Sequence, residues 1–431
     1  MRKIFFSIIF CLSILAIQAK IYDIKSLGAD TSGKVACTDL IKQSIKNASA
    51  EGGGTIYFPA GTYLTAAIHL ESNITLDIES GAVMKFSTTF EDYLPFVKVR
   101  WEGVFMNSLS PLIYADKAEN ITIKGRGVID GQGHTWWKES RRLIDEIRKD
   151  GKTSATNKLQ QMWLDANKGI KVSPYYESTL ERKFFRPPFI QFHESKNILI
   201  EGITIINSPF WTINPIGCDD LLIHGVTINN PSSNPKGHNT DGINPESCRN
   251  VRISDCFLSV GDDCITIKSG RDEDGRNYGR PCENITITNC IMLAGHGGVV
   301  IGSEMSGGVR NIKVSNCQFL GTDVGLRFKS NRQRGGTVEN IYISNMSMFD
   351  IPTDPLSFNL YYGGKSEVEE LEDGRKVVKE VASVPVTDMT PVFRNIYIKD
   401  VICSSARRAM YFNGLPEQKI ENINVEKVTI H

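Results

Sequence analysis

The sequence predicts an all-β protein, a right-handed parallel β-helix with an N-terminal helical cap. Three observations predict it: a strand-like phrase that recurs nine times, an interval between copies too short to fold alone, and a Cys/Ile/Val position that keeps its phase from copy to copy. The elements follow in chain order.

Met1, Arg2 and Lys3 precede an apolar stretch from Ile4 to Ile17 and a small residue at Ala19. That is the pattern of a secretory signal peptide over residues 1–19. The stretch falls short of the roughly 20 residues that span a bilayer. Cleavage leaves residues 20–431 as one domain, secreted or periplasmic, with no membrane attachment. Residues 38–50, TDLIKQSIKNASA, have helical periodicity and end at Glu51 before three glycines, which predicts a helix capping the first coil.

The recurring phrase is Asn or Asp followed by alternating Ile, Val or Leu, a polar pair and a second apolar pair. It reads NITIKGRGVI from Asn120, NILIEGITI from Asn197, DLLIHGVTI from Asp220, NVRISDCFL from Asn250 and NITITNCIM from Asn284. It returns from Asn311, Asn340, Asn395 and Asn422. Alternation with β-branched residues marks strands. Successive copies from Asn197 lie 23 to 34 residues apart, with one step of 55. Such a unit cannot bury its own apolar face, and stacked units share one continuous core. A leucine-rich horseshoe would need a Leu and helix pattern that is missing. The recurring Asn suits the turn into each strand, and this grammar is taken to account for the glycosylation-like sequons at Asn47, Asn73, Asn120, Asn284 and Asn345.

Cys256, Cys290 and Cys317 occupy the slot that holds Ile203, Val226, Met346, Val401 and Val428 in other copies. A thiol that alternates with Ile and Val reads as core packing. A disulfide from Cys248 to Cys264 or Cys282 stays open. Two segments interrupt the repeat, at 134–185 and 365–380, and long loops on a rigid coil shape binding faces. Trp136 and Trp137 in the first are read as structural. Lys and Arg total 49 against 49 Asp and Glu. That balance gives no reason to bind nucleic acid, so attraction to a polyanion needs a local patch. A monomer is expected.

Four segments align on a common Ser, at Ser247, Ser269, Ser303 and Ser330. This register sets Asp241 over Asp263 and puts Asp262 in a column with His296 and Asp323. Carboxylates on neighbouring rungs cannot all ionise freely, so one is pushed toward the acid form while another activates water. That pattern points to cleavage of a glycosidic bond. An outward acid ladder for solubility is the plain alternative, and it explains poorly the stacked acids, the His in phase and the basic pair. His296 alone reads equally as a turn residue. Arg327 and Lys329, two apart on one strand, face the same way and suit a substrate carboxylate, which implies a uronate.

Asn239-Thr240-Asp241-Gly242, Gly261-Asp262-Asp263, Gly295-His296-Gly297 and Arg327-Phe328-Lys329 resemble, in order, the four motifs of the pectin-degrading glycoside hydrolases of family 28, the polygalacturonases. The resemblance extends to GGGTIYFPAGTY and GRGVIDGQG and implies a pectin-lyase-like β-helix and inverting hydrolysis without metal or cofactor. It makes Asp262 the general acid, gives Asp241 and Asp263 the water, and has His296 tune the acid or bind the ring. Arg327 and Lys329 would hold the galacturonate carboxylate, Asn239 and Lys268 would add substrate contacts, and Tyr361 or Tyr362 would meet the sugar. Gly261 stands where many endo-acting members carry Gln, and Phe328 where they usually carry Ile; the Gly form resembles exo-acting and many bacterial members. The 134–185 insertion is expected to wall off one end of the groove. Adjacent rungs lie near the short carboxylate spacing tied to retention, which is in tension with inversion.

The expected partner is pectic polysaccharide or an oligogalacturonide. A rhamnogalacturonan hydrolase is the nearest alternative. A pectic lyase and a non-catalytic carbohydrate-binding β-helix are the others.

Overall fold

A computed structural model describes residues 20–150, 158–170, 186–231, 236–363, 368–370, 376–378 and 381–431. The first 19 residues, and with them the signal-peptide expectation, lie outside that set. The chain winds as a right-handed parallel β-helix. Residues of the recurring phrase pair rung to rung in one column, Ile198 with Leu221, Val251, Ile285, Ile312, Ile341, Ile396 and Ile423. These side chains alternate inward, and their stacking builds a continuous apolar core along the axis. A second parallel sheet runs through Ile190–His193, Ile265–Ile267, Val299–Gly302, Leu326–Lys329, Leu356–Asn359 and Met410–Asn413. It carries the candidate functional residues.

The recurring Asn has a physical reason. Asn120, Asn197, Asn250, Asn284, Asn311, Asn340, Asn395 and Asn422 all adopt a left-handed backbone, with φ from 50° to 59°, which Asn tolerates better than other side chains. Their amides bond rung to rung, Asn120 donating to Asn73 and Asn197 to Asn120 at 2.7 Å, and Asn422 to Asn395 at 2.8 Å. Asn345 joins a second ladder through Asn316. All nine described cysteines are buried free thiols, so Cys248 bonds neither Cys264 nor Cys282.

Helix Thr38–Ala50 covers the first coil with Ile41, Ile45 and Ala48 buried. The first insertion begins as helix Gly133–Asp150, where Trp136 packs edge-on against Tyr93 and Trp137 donates to the Ser208 carbonyl at 3.1 Å. A second helix, Lys158–Ala166, places Trp163 in an apolar cluster with Val99, Trp101, Val104, Met106, Phe210 and Trp211. That cluster supports an antiparallel hairpin, Val97–Trp101 and Val104–Ser108, which the repeat does not predict. Its two-residue turn, Glu102-Gly103, has φ of 42° and 86°, the left-handed pair that favours Gly second. Any side chain at Gly103 would meet the Arg271 backbone at 2.7 Å. Arg100 ties the hairpin to the coil: fully buried, it reaches Glu246 at 3.2 Å and Asp274 at 3.1 Å. The second insertion contains a short antiparallel pair, Val368–Glu370 with Lys376–Val378.

Candidate active site

Backbone bridges join Ile243 to Ile265 and Glu246 to Lys268, and the ladder continues from Ile265 to Val299 and on to Leu326. This is the register of the common Ser. Carboxylate oxygens of Asp241, Asp262 and Asp263 lie within 4.8 Å of one another. Asp241 and Asp263 are 3% and 1% exposed, whereas the Asp262 side chain is 18% exposed. All three line one cleft of 210 Å³ with Asn239, Lys268, Lys329 and Tyr362. They sit on one face, and Asp262 reaches furthest toward solvent.

Local packing explains the motif residues. Thr240 is buried and its hydroxyl bridges two loops, donating to the Gly237 carbonyl at 2.5 Å and accepting from the Gly261 amide at 3.1 Å. A side chain at Gly261 would lie 2.0 Å from the Gly237 oxygen. Glycine there is a packing requirement.

Each carboxylate has different company. Asp263 takes Lys329 at 2.6 Å and Arg327 at 3.5 Å. Asp241 accepts from Asn244 at 3.1 Å and faces Lys268 at 3.9 Å. Asp262 contacts His296 Nδ1 at 3.3 Å and Asn239 Nδ2 at 3.5 Å. Burial, helped by the charge of Asp262, pushes the Asp241 carboxyl well above its ordinary range. Burial acts in the same sense on Asp262, but the hydrogen bond and charge of His296 outweigh it and hold that carboxyl low. The bond to Asp262 raises His296 in turn, against its own burial. Asp241 is thus the carboxyl pushed toward the acid form and Asp262 the one held toward the anion, whereas the family resemblance gives the acid role to Asp262.

Several contributors carry no pattern in the sequence. Lys236 stands 2.6 Å from His296 Nε2. Glu304 pairs with Lys268 at 2.9 Å, and although burial opposes its charge, Lys268, Arg271 and Arg334 hold it ionised. Fully buried Arg186 donates to Asn239 Oδ1 at 2.9 Å and to the His238 carbonyl, fixing the loop that carries Asp241. Trp211 lies against Lys268, 4.4 Å from the ring centre. Glu102, at the hairpin tip, lines the cleft. The two candidate tyrosines part: Tyr362 lines the cleft with Arg327 and Lys329 about its ring at 5.4 and 5.3 Å. Tyr361 packs on the core near Arg332, away from the cleft. Among the described residues, the hairpin Val97–Ser108 borders the cleft through Glu102, and the helix Lys158–Ala166 of the first insertion braces that hairpin; residues 151–157 and 171–185 of the insertion lie outside the described residues.

The family model for glycosyl hydrolases family 28 matches residues 175–431. The chain belongs to glycosyl hydrolase family 28. As a member of that family it is a glycoside hydrolase. The exopolygalacturonase of Thermotoga maritima, a solved structure, is 32% identical, with 96% of this chain and 89% of that one covered and a TM-score of 0.75. A probable polygalacturonase of Vitis vinifera is 29% identical over 428 residues, 97% of this chain and 75% of the relative. An endo-polygalacturonase of Pectobacterium carotovorum is 27% identical, covering 94% of this chain and 86% of the relative.

Proposed function

We propose that this family 28 hydrolase is an exported polygalacturonase that removes galacturonate from chain ends of pectin by inverting acid/base hydrolysis. The observation that carries the reading is the set of three carboxylates within 4.8 Å beside Lys268, Lys329 and Arg327. A neutral sugar would not need three cations at the point of cleavage, whereas a uronate carboxylate matches them.

The substrate carboxylate settles on Arg327 and Lys329. That neutralises Lys329, whose field, after the larger effect of His296, helps hold Asp262 ionised, so the shared proton moves toward Asp262. Asp262, the most exposed of the three, gives it to the glycosidic oxygen as the bond to the anomeric carbon breaks. A water between Asp241 and Asp263 attacks the opposite face and loses its proton to a carboxylate. The Oδ1 atoms of both residues accept no hydrogen bond among the described residues, and Arg327 faces that of Asp263 at 3.5 Å. His296 reloads Asp262. Inversion comes from the family resemblance, and the anomer first formed reads it directly.

End-wise action is supported by the hairpin tip at Glu102-Gly103 beside the cleft, by Gly261, and by the likeness to an exo-acting enzyme. Export is inferred from residues 1–19, giving a secreted or periplasmic enzyme. No helix among the described residues is long and apolar enough to cross a membrane. The test is product analysis on homogalacturonan and rhamnogalacturonan. Monomer from the first minutes with little loss of viscosity supports the reading. A rapid fall in viscosity makes the enzyme endo-acting, cleavage confined to rhamnogalacturonan makes it the alternative hydrolase, and an unsaturated product makes it a lyase.

A further inference from the structure

The catalytic cleft continues toward the C-terminal coils into a groove of 720 Å³ that shares Lys329 and Tyr362 with it. The groove's far side is built from Arg407, Arg408 and Tyr411, outside all four motifs. Register explains how the space arises. Arg327 pairs with Ser357 and Ser357 with Tyr411, so a small residue lies between two large ones and leaves the floor open. Arg327 and Tyr411 are two rungs apart, roughly 10 Å, on the order of two pyranose units.

The charges are not balanced as they are elsewhere. The chain carries 49 basic and 49 acidic side chains, yet the groove gathers Arg327, Lys329, Arg407 and Arg408 around one acid of its own, Asp354. Asp354 is committed: Arg408 grips it with two hydrogen bonds, 2.6 and 2.8 Å, and lies 4.2 Å over the Tyr411 ring. That clamp fixes Arg408 and Tyr411 as a rigid wall. Arg407, exposed on the groove, has no hydrogen bond or ion pair among the described residues. A fixed wall, an unpaired guanidinium and an opening into the cleft form the local basic patch that a polyanion needs.

We propose that this groove is a distal subsite for a second uronate of the same chain, with Arg407 taking its carboxylate and the Tyr411 wall bordering the sugar. The proposal rests on the polygalacturonase reading and adds to it a length requirement: the enzyme prefers galacturonides long enough to reach Arg407.

The test compares kcat/KM on di-, tri- and tetragalacturonate for the unaltered protein, Arg407→Gln and Arg407→Lys. The expected result is that Arg407→Gln lowers the tetramer-to-dimer ratio about fivefold, the size of one partly exposed ion pair. The loss should fall on KM, and Arg407→Lys should restore part of it. Arg407 is exposed and unpaired, so folding should be unaffected, and a melting temperature equal to that of the unaltered protein verifies it. A ratio unchanged in Arg407→Gln, with activity present, overturns the subsite while leaving the enzyme reading intact. Inactivity of the unaltered protein on every galacturonide overturns the reading beneath the proposal, and the proposal with it.

Discussion

Asp241→Asn should abolish turnover and stabilise the fold. Asp241 is 3% exposed and lies within 4.8 Å of two other carboxylates. At an effective dielectric near ~20, each ionised pair at that distance repels by roughly 3.5 kcal/mol. Lys268, at 3.9 Å, returns about 4 kcal/mol on the same scale. Were Asp241 ionised, the two repulsions would exceed the one attraction, so the buried carboxyl takes up a proton instead; an amide needs no such proton, and the relief is about 1–3 kcal/mol at neutral pH. The introduced amide keeps the hydrogen bond from Asn244, now 3.1 Å. Burial and Asp262 raise the native Asp241 carboxyl, so the folded state keeps a proton that the unfolded chain releases above about pH 4. Native stability therefore falls as pH rises from there through the raised value, and the substitution removes that slope. Urea unfolding at pH 4 and pH 7 reads it. The gain should appear at pH 7 and shrink at pH 4, while turnover of galacturonan drops about a thousandfold or more. A variant less stable than the parent by the same margin at both pH values would refute the electrostatic account of this cluster.

Three further outcomes follow from the same contacts. The bond to Asp262 raises His296, so activity should decline as pH rises through that raised value, above about 6.5; in His296→Asn this limb should vanish and kcat fall about a hundredfold, and an unchanged pH profile contradicts the pairing. Arg100→Met leaves the fully buried Glu246 unpaired and should cost about 3–5 kcal/mol in urea unfolding, most of it recovered when Glu246→Gln is added; a single variant as stable as the parent argues against the brace. Tyr362→Ala should raise KM for galacturonan about tenfold, whereas Tyr361→Ala, which packs on the core, should lower the melting temperature and leave KM in place; equal effects on KM would undo the distinction between the two rings.

The fold was legible because each rung repeats the same problem. A left-handed Asn begins the strand, alternating Ile and Val face inward, and the spacing leaves one way to stack them. The common Ser carries the register of the site sheet, so spacing alone places Asp241, Asp262 and Asp263 in one neighbourhood. It does not place their surroundings. Arg186, Lys236, Glu304 and Trp211 each sit singly in segments without period, and they reach the site through contacts that no spacing encodes. The hairpin Val97–Ser108 breaks the parallel pattern, and its support comes from Trp163 and Asp274, far away in sequence. Tyr361 and Tyr362 are adjacent in the chain and diverge in the turn that follows the strand Leu356–Asn359, where no strand period sets their directions. The opposite shifts of Asp241 and Asp262 were also beyond spacing alone, since burial sets the first and His296 the second.

The central claim is that the Asp262 carboxyl drives hydrolysis of galacturonan at this cleft. The direct measurement is release of reducing ends from polygalacturonate, in the presence of a chelator, by the unaltered protein and by Asp262→Asn at matched folded concentration. The account predicts steady release of saturated sugars by the former and a loss of at least about a thousandfold in the latter with the melting temperature little changed. Undiminished release by the variant, or none by the folded parent, would contradict it.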